Sequence, residues 1–140
     1  MSEADRDTVE RLYRDMYEAL GVAPPPPEWI DTVCQEALAG ERHLWLARVG
    51  GEAVGFVDFK VMPYFPGSPK SFAHIFDLYV APAHQRKGHG AALARRAVAT
   101  ASEEGAEAVE LNVLPQNAGG LAFWRSLGFE IHLYALRQAL

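Results

Sequence analysis

The chain has 140 residues, 49% hydrophobic and 22% charged, with a formal net charge of −5. That length predicts a single domain, residues 1–140, able to bury roughly two-thirds of its unfolded surface. No apolar run approaches the ~20 residues of a membrane span. The acidic start lacks a signal-peptide core, and the lone Cys34 excludes an internal disulfide, so a cytoplasmic protein with no membrane partner is expected.

The charge is uneven. Residues 1–60 hold twelve acids against six Lys/Arg, and residues 61–140 hold six against seven. A nucleic-acid binder shows a broad basic face, whereas the basic bias here is confined to one loop, so no nucleic-acid partner is expected. The acidic first half suits a cationic amine or simply solvates helix surfaces.

Val9, Leu12, Tyr13, Met16, Tyr17 and Leu20 recur at helical spacing, predicting a helix over Asp5–Leu20 that stops at Gly21. Pro24–Pro27 form a stiff connector. A second helix is predicted over Glu28–Ala39, with Trp29, Ile30, Val33, Ala37 and Leu38 inward and Cys34 a buried, inert thiol. His43–Val49 and Ala53–Val61 read as strands joined by the turn Gly50-Gly51. In the second, Val57, Phe59 and Val61 alternate with Asp58 and Lys60, so one face is buried and the other meets solvent or ligand. Met62–Ser71 is a loop in which Tyr64 and Phe65 either close over a substrate or tuck into the core. Ser71–Val80 is the next strand, followed by a loop and a helix to about Glu104 with Leu93, Ala97, Val98 and Ala101 inward. Ala108–Leu114 reads as a strand, Asn117 as the N-cap of a last helix closed by Gly128, and Phe129–Arg137 as a final extended segment. The order predicts an α/β fold with a mixed sheet and helices on both faces.

The chemistry gathers after Val80. Pro82 ends the strand, and Gln85-Arg86-Lys87-Gly88-His89-Gly90 feeds a helix beginning near Ala91. Glycines let the backbone approach a ligand. A helix start offers unpaired N–H groups and a positive dipole end, which favours phosphate. No acid lies between Asp77 and Glu103, and Arg86 and Lys87 add positive charge. The spacing fits neither a P-loop nor a Rossmann fingerprint. It reads as a pyrophosphate site or as a tight connection.

This loop resembles the Gln/Arg-x-x-Gly-x-Gly/Ala loop of the GCN5-related N-acetyltransferases, the GNAT superfamily. The strand Phe76–Pro82 before it and the run Asn117-x-x-Gly120-x-x-Phe123-Trp124-x-x-x-Gly128-Phe129 after it also look like the family. The resemblance covers about residues 43–137. It implies the GNAT acyl-CoA N-acyltransferase fold: a mostly antiparallel sheet whose two central strands splay apart, the strand ending Leu78-Tyr79-Val80 from Ala108–Leu114. It also implies acetyl-CoA as co-substrate and an amine acceptor. By the same resemblance the pantetheine arm is expected in the splay against Leu78, Tyr79 and Val80, with the Val80 N–H aimed at the thioester carbonyl. The resemblance further implies that Gln85, Arg86, Lys87, Gly88, His89, Gly90 and Ala91 hold the pyrophosphate and that Asn117 and Phe123 contact the pantetheine or its neighbourhood. Members are often homodimers, and many carry a strand before the first helix.

The sequence departs from the family at the acid. Trp124 stands where many members carry the tyrosine that protonates the leaving sulfur. Tyr134 is a substitute by proximity, or the thiolate leaves unassisted, a thiol's pKa being ~8.5. Gly120 replaces a usual alanine, which suggests mobility near the thioester. For the base, His74 aligns with the glutamate of histone-acetylating members, and an imidazole with pKa ~6.5 suits proton removal. Asp58 is a further candidate for the base and could also bind the substrate ammonium. Asp77 retains half of the Glu-Asp pair of small-amine acetyltransferases and reads as structural. No residue spacing matches a metal site. The expected activity is acetyl-CoA-dependent N-acetylation of a primary amine on a small molecule or peptide. The alternatives are a non-catalytic acyl-CoA-binding or sensor domain of the same fold, and transfer of a longer acyl group.

Overall fold

The periodic residues of the first helix do what their spacing predicts. In α1, Arg6–Leu20, Val9, Leu12, Tyr13 and Met16 are buried, and the Gly21 and Val22 N–H groups return to carbonyls of the last turn. The structure, a computed structural model, describes residues 1–140. Residues Glu3–Asp5 form a 3-10 turn, not a strand. α2, Pro27–Leu38, begins on Pro27, whose fixed φ suits the first helical position. Its buried side is Ile30, Val33 and Cys34; Trp29 and Leu38, expected inward, are substantially exposed. Burial pushes the Cys34 thiol upward, as an inert thiol requires.

β1, His43–Val49, and β2, Glu52–Pro63, pair antiparallel. The turn between them puts Gly50 at φ 57° and Gly51 at φ 84°, the left-handed pair that a two-residue hairpin needs. β3, Ser71–Val80, pairs antiparallel with β2, and β4, Val109–Glu110, lies parallel to β3. The sheet order is β1-β2-β3-β4. α3, His89–Glu103, and α4, Ala118–Ser126, complete the fold. Within α3 the buried residues are Leu93, Ala94, Ala97 and Ala101, whereas Val98 faces out.

Both faces of the sheet are covered. Val9, Leu12, Tyr13, Ile30, Val33, Cys34, Leu44 and Phe56 pack α1 and α2 on one face. Val57, Phe59, Ile75, Val80, Leu93 and Ala97 pack α3 on the other. Each fully buried Val, Leu or Phe contributes about 1.5–3 kcal/mol of gross driving force. This double cover corrects one expectation. Asp58 does not meet solvent or ligand, because α1 and α2 close over its face and leave it 0% exposed.

Two further segments differ from the sequence reading. The strand expected over Ala108–Leu114 is bonded to β3 only as far as Glu110, through the Ala108 carbonyl and the rungs at Val109 and Glu110. Phe129–Arg137, expected as an extended segment, joins no helix or strand, and Ile131, Leu133 and Leu136 are exposed. A strand needs a paired neighbour, and beyond Glu110 the edge offers no bonded rung. His132 reaches only to 3.8 Å from Glu110.

Candidate active site at the parting of β3 and β4

The parallel ladder between β3 and β4 has two rungs, Ala73–Val109 and His74–Glu110. β3 continues to Val80 with that edge open. Its other edge stays bonded, and Ala81 N–H donates to the Val54 carbonyl at 2.8 Å. Antiparallel bonds alternate from one edge of a strand to the other. Val80, one residue earlier, therefore presents its N–H and C=O to the edge that β4 has left. Its carbonyl accepts there from Gln85 Nε2 at 2.9 Å, tying the following loop to the strand. β2 lies close enough that a Cβ on Gly55 would run into the backbone of Tyr79 and Val80.

The loop turns on two left-handed residues, Arg86 at φ 60° and Gly88 at φ 87°. Arg86 is the chain's one non-glycine residue in that region, a conformation that costs an ordinary side chain roughly 1–3 kcal/mol. Gly88 is the N-cap of α3, and no side chain caps that end. The first N–H groups of α3 are thus left for a ligand, with Arg86 and Lys87 exposed beside them. The His84 and His89 rings lie 6.4 Å apart at the same place. A Cβ on Gly90 would come within 3.5 Å of Phe123 and 3.6 Å of Leu78. Loop, β3 and α4 therefore converge at Gly90. Of the expected set, Leu78, Val80, Gln85–Ala91 and Phe123 fall around one open edge, whereas the Tyr79 side chain turns onto Phe56 and the core beneath α1. Uncapped N–H groups, two cations and an unpaired strand edge fit a pyrophosphate with an extended amide-bearing arm.

Asn117 caps α4, its Oδ1 accepting from Gly120 N–H at 2.9 Å. A Cβ on Gly120 would collide with the Asn117 side chain. Gly120 is thus explained by the close cap, not by a need for mobility. Trp124 packs edge-on against Phe123 at 5.0 Å and Phe129 at 5.1 Å.

On the α1/α2 face of β3 stand the ionisable groups. Asp58 Oδ1 accepts from Arg42 Nε at 2.5 Å, and its Oδ2 from Arg42 Nη2 at 2.8 Å and from the Tyr13 hydroxyl at 2.6 Å. Arg42 also donates to Glu36 at 2.9 Å, and Glu36 takes Lys60 at 2.9 Å. Burial opposes the Arg42 charge, but the bonds to Asp58 and Glu36 outweigh it and hold the guanidinium charged. Burial and the Asp58 carboxylate push the Tyr13 hydroxyl well above the usual range.

Asp77 sits directly across the ladder from Asp58. It is half-buried and has no hydrogen-bond or ion-pair partner. Burial, then the Asp58 carboxylate, raise its pKa to about 6, with Arg42 pulling partly the other way. The register slips between Asp58 and Phe59, leaving Phe76 as an extra residue on β3. Such bulges re-aim neighbouring side chains. Arg42 lies over the Phe76 ring at 4.6 Å. Asp77, weighed in the sequence as structural, is thus the unpaired acid, and Asp58, weighed as the ligand-facing one, is enclosed. Their roles were hidden because Arg42 and Tyr13 lie 16 and 45 residues from Asp58. The available signal was a carboxylate set between apolar residues in each strand, Val57-Asp58-Phe59 and Phe76-Asp77-Leu78.

His74 holds the last bonded rung before the strands part, its ring 4.8 Å from Phe76. Tyr134 is 84% exposed on the unbonded tail, outside this cluster. Tyr64 stacks on Phe72 at 4.9 Å, and Phe65 is exposed. Both belong to the loop at the paired end of β3, the end opposite Val80. No three His, Cys, Asp or Glu side chains form a metal-holding group, and no helix is long and apolar enough to cross a membrane.

A mixed sheet covered on both faces, with a parallel edge strand that parts opposite a glycine-rich basic loop, defines an acyl-CoA N-acyltransferase fold. The chain belongs to the Acetyltransferase (GNAT) family, whose sequence profile matches residues 6–129. It is 32% identical over 90 residues to an uncharacterised N-acetyltransferase of Methanocaldococcus jannaschii; the match spans 64% of this chain and 40% of that protein. Among solved structures, an aminoglycoside acetyltransferase from an uncultured soil metagenomic sample, in complex with sisomicin, superposes with a TM-score of 0.78 at 23% identity, covering 100% of this chain and 93% of the other. A ribosomal-protein-alanine N-acetyltransferase from Brucella melitensis gives 0.79 at 20% identity, covering 100% and 96%. A transcriptional regulator from Bacillus halodurans gives 0.80 at 22%, also covering 100% and 96%. At these identities the likeness concerns the fold.

Proposed function

We propose that the protein transfers an acetyl group from acetyl-CoA to a primary amine of a small molecule or peptide. The observation that carries this reading is the open edge of β3 running into the uncapped N-terminus of α3, with Asp77 unpaired on the opposite face. The loop Gln85–Ala91 binds the pyrophosphate, and Leu78–Val80 with Phe123 and Asn117 line the arm. The Val80 N–H faces the thioester oxygen, where negative charge develops during attack.

Asp77 is the base in this reading. Its carboxylate takes one proton from the acceptor ammonium. The freed lone pair attacks the thioester carbon, a C–N bond forms, and collapse breaks the C–S bond. The second proton leaves nitrogen for solvent, and the thiolate takes one from water, since the Trp124 indole supplies no acid. His74 is the second candidate, favoured by its position at the vertex where the strands part.

The test is acetylated-product detection by mass spectrometry, with acetyl-CoA and a panel of polyamines, aminoglycosides, amino acids and peptides. Product that depends on both acetyl-CoA and an amine supports the reading. Tight acetyl-CoA binding without product from any amine favours the sensor alternative, and a preference for longer acyl chains favours the other.

A further inference from the structure

We propose that the buried Arg42–Asp58–Tyr13 assembly exists to set the protonation of Asp77, so that Asp58 is a positioning residue acting through the carboxylate opposite it. This rests on Asp77 being the base.

The geometry isolates one acid. Asp58 is 0% exposed, and both its oxygens are occupied by Arg42 and Tyr13. It cannot reach a substrate. The charges behind the sheet are matched, Asp58 with Arg42 and Glu36 with Lys60. Asp77 is the carboxyl left over, placed across the ladder from a fixed negative charge. A buried ion pair often contributes no more to stability than well-packed apolar residues of similar volume. Two apolar residues would fill this face between Tyr13 and Phe56, so core packing alone does not call for the pair.

The groups facing Asp77 come from every neighbouring element. β2 supplies Asp58, the segment before β1 supplies Arg42, and α1 supplies Tyr13 and Tyr17, whose hydroxyls both feel the Asp77 charge. His74 and Tyr79 flank it on β3 itself, and Glu36 reaches the cluster from α2 through Arg42. Among these, Asp58 is the one named neighbour that raises the Asp77 proton affinity by its charge, and Arg42 opposes it. The bulge at Phe76 fixes where the Asp77 carboxyl points, and the Arg42 guanidinium packs over that same ring. One buried arginine thus holds both the charge behind Asp77 and the bulge that aims it.

Two substitutions separate this from a purely structural role, because they act in opposite directions. Asp58→Asn removes the negative charge and leaves Arg42, so Asp77 should titrate at lower pH, by about one unit or more. Tyr13→Phe removes the hydroxyl dipole that partly offsets the Asp58 charge, so Asp77 should titrate slightly higher. The readout is carboxyl-carbon NMR titration of Asp77, assigned with Asp77→Asn, alongside the pH profile of kcat/KM. In the wild type the acid limb should coincide with the Asp77 midpoint and move with it in both variants. An unmoved Asp77 midpoint in folded Asp58→Asn overturns the proposal. If Asp58→Asn does not fold, Tyr13→Phe decides: an upward shift supports the proposal, and no shift or a downward one overturns it. Midpoints that move as stated while the rate profile does not follow refute Asp77 as the base, and with it the assembly's catalytic purpose, and leave only the electrostatic coupling.

Discussion

Asp77 and Asp58 face each other across the β2–β3 ladder, and only Asp58 is paired. That asymmetry has a stability consequence with a definite sign. Burial and the Asp58 charge raise the folded-state pKa of Asp77 to about 6, against an ordinary 3.8. Between those values the folded state holds the proton that the unfolded state has lost. The contribution of Asp77 is therefore most favourable below about pH 4 and is lost as pH rises through 6. Asp77→Asn should melt higher than wild type at pH 7–8, and the difference should vanish near pH 4. Thermal melts of the two proteins across pH check this, and an Asp77→Asn that melts lower at pH 8 contradicts it.

The same substitution should lower kcat about 10²–10⁴-fold, the usual range for loss of a general base, with acetyl-CoA affinity unchanged. His74→Ala should lose less than tenfold by the Brønsted logic of a group that is not the base. The reverse ranking, read at saturating acetyl-CoA, would return the role to His74.

Gly88→Asp should leave the fold intact and abolish acetyl-CoA binding. At φ 87° an aspartate is strained by roughly 1–3 kcal/mol, a cost confined to an exposed loop, and its charge would stand where N–H groups meet phosphate. Calorimetry on the folded variant checks this, and undiminished affinity would remove the pyrophosphate from this loop.

Arg42→Met leaves the Asp58 carboxylate buried without its partner and should cost about 3–5 kcal/mol in urea unfolding. Removing Arg6, whose 2.5 Å pair with Asp31 lies at the surface, should barely move the midpoint, because solvent screens such pairs. Equal losses would mean that the Arg42 pair is no more enclosed than a surface one.

Gly119→Ala meets nothing within 4 Å and should stabilise α4 by about 0.5–1 kcal/mol. Gly120→Ala should show no such gain, because its Cβ displaces the Asn117 side chain from a cap worth about 1 kcal/mol. A gain at Gly120 equal to that at Gly119 would show that the cap is dispensable.

Much of this was legible from local pattern. α1 followed from its apolar spacing, the β1–β2 hairpin from Gly50-Gly51, and the loop before α3 from its glycines and cations. What was not legible depends on distant partners. Period-two alternation in β2 says that Asp58 and Phe59 face opposite ways, but not that two helices cover the Asp58 side. The pairing of Asp58 with Arg42 has no sequence signal, since the two meet only when β2 returns beside the segment leading into β1. The short β4 was overread for a related reason: Leu111–Leu114 has strand composition, but bonds require a neighbour, and β3 has by then diverged. Phe129–Arg137 is the same case: its apolar residues have strand composition, but the segment pairs with no strand.

Amine-dependent release of free thiol from acetyl-CoA, measured side by side for wild type, Gly88→Asp and Asp77→Asn, tests the central claim most directly. Wild type should release thiol only when a suitable amine is present. Gly88→Asp should fail through lost acetyl-CoA binding, and Asp77→Asn should bind acetyl-CoA normally but turn over slowly. Wild type that binds acetyl-CoA yet releases no thiol with any amine of the panel would contradict acetyl transfer as the function of this fold.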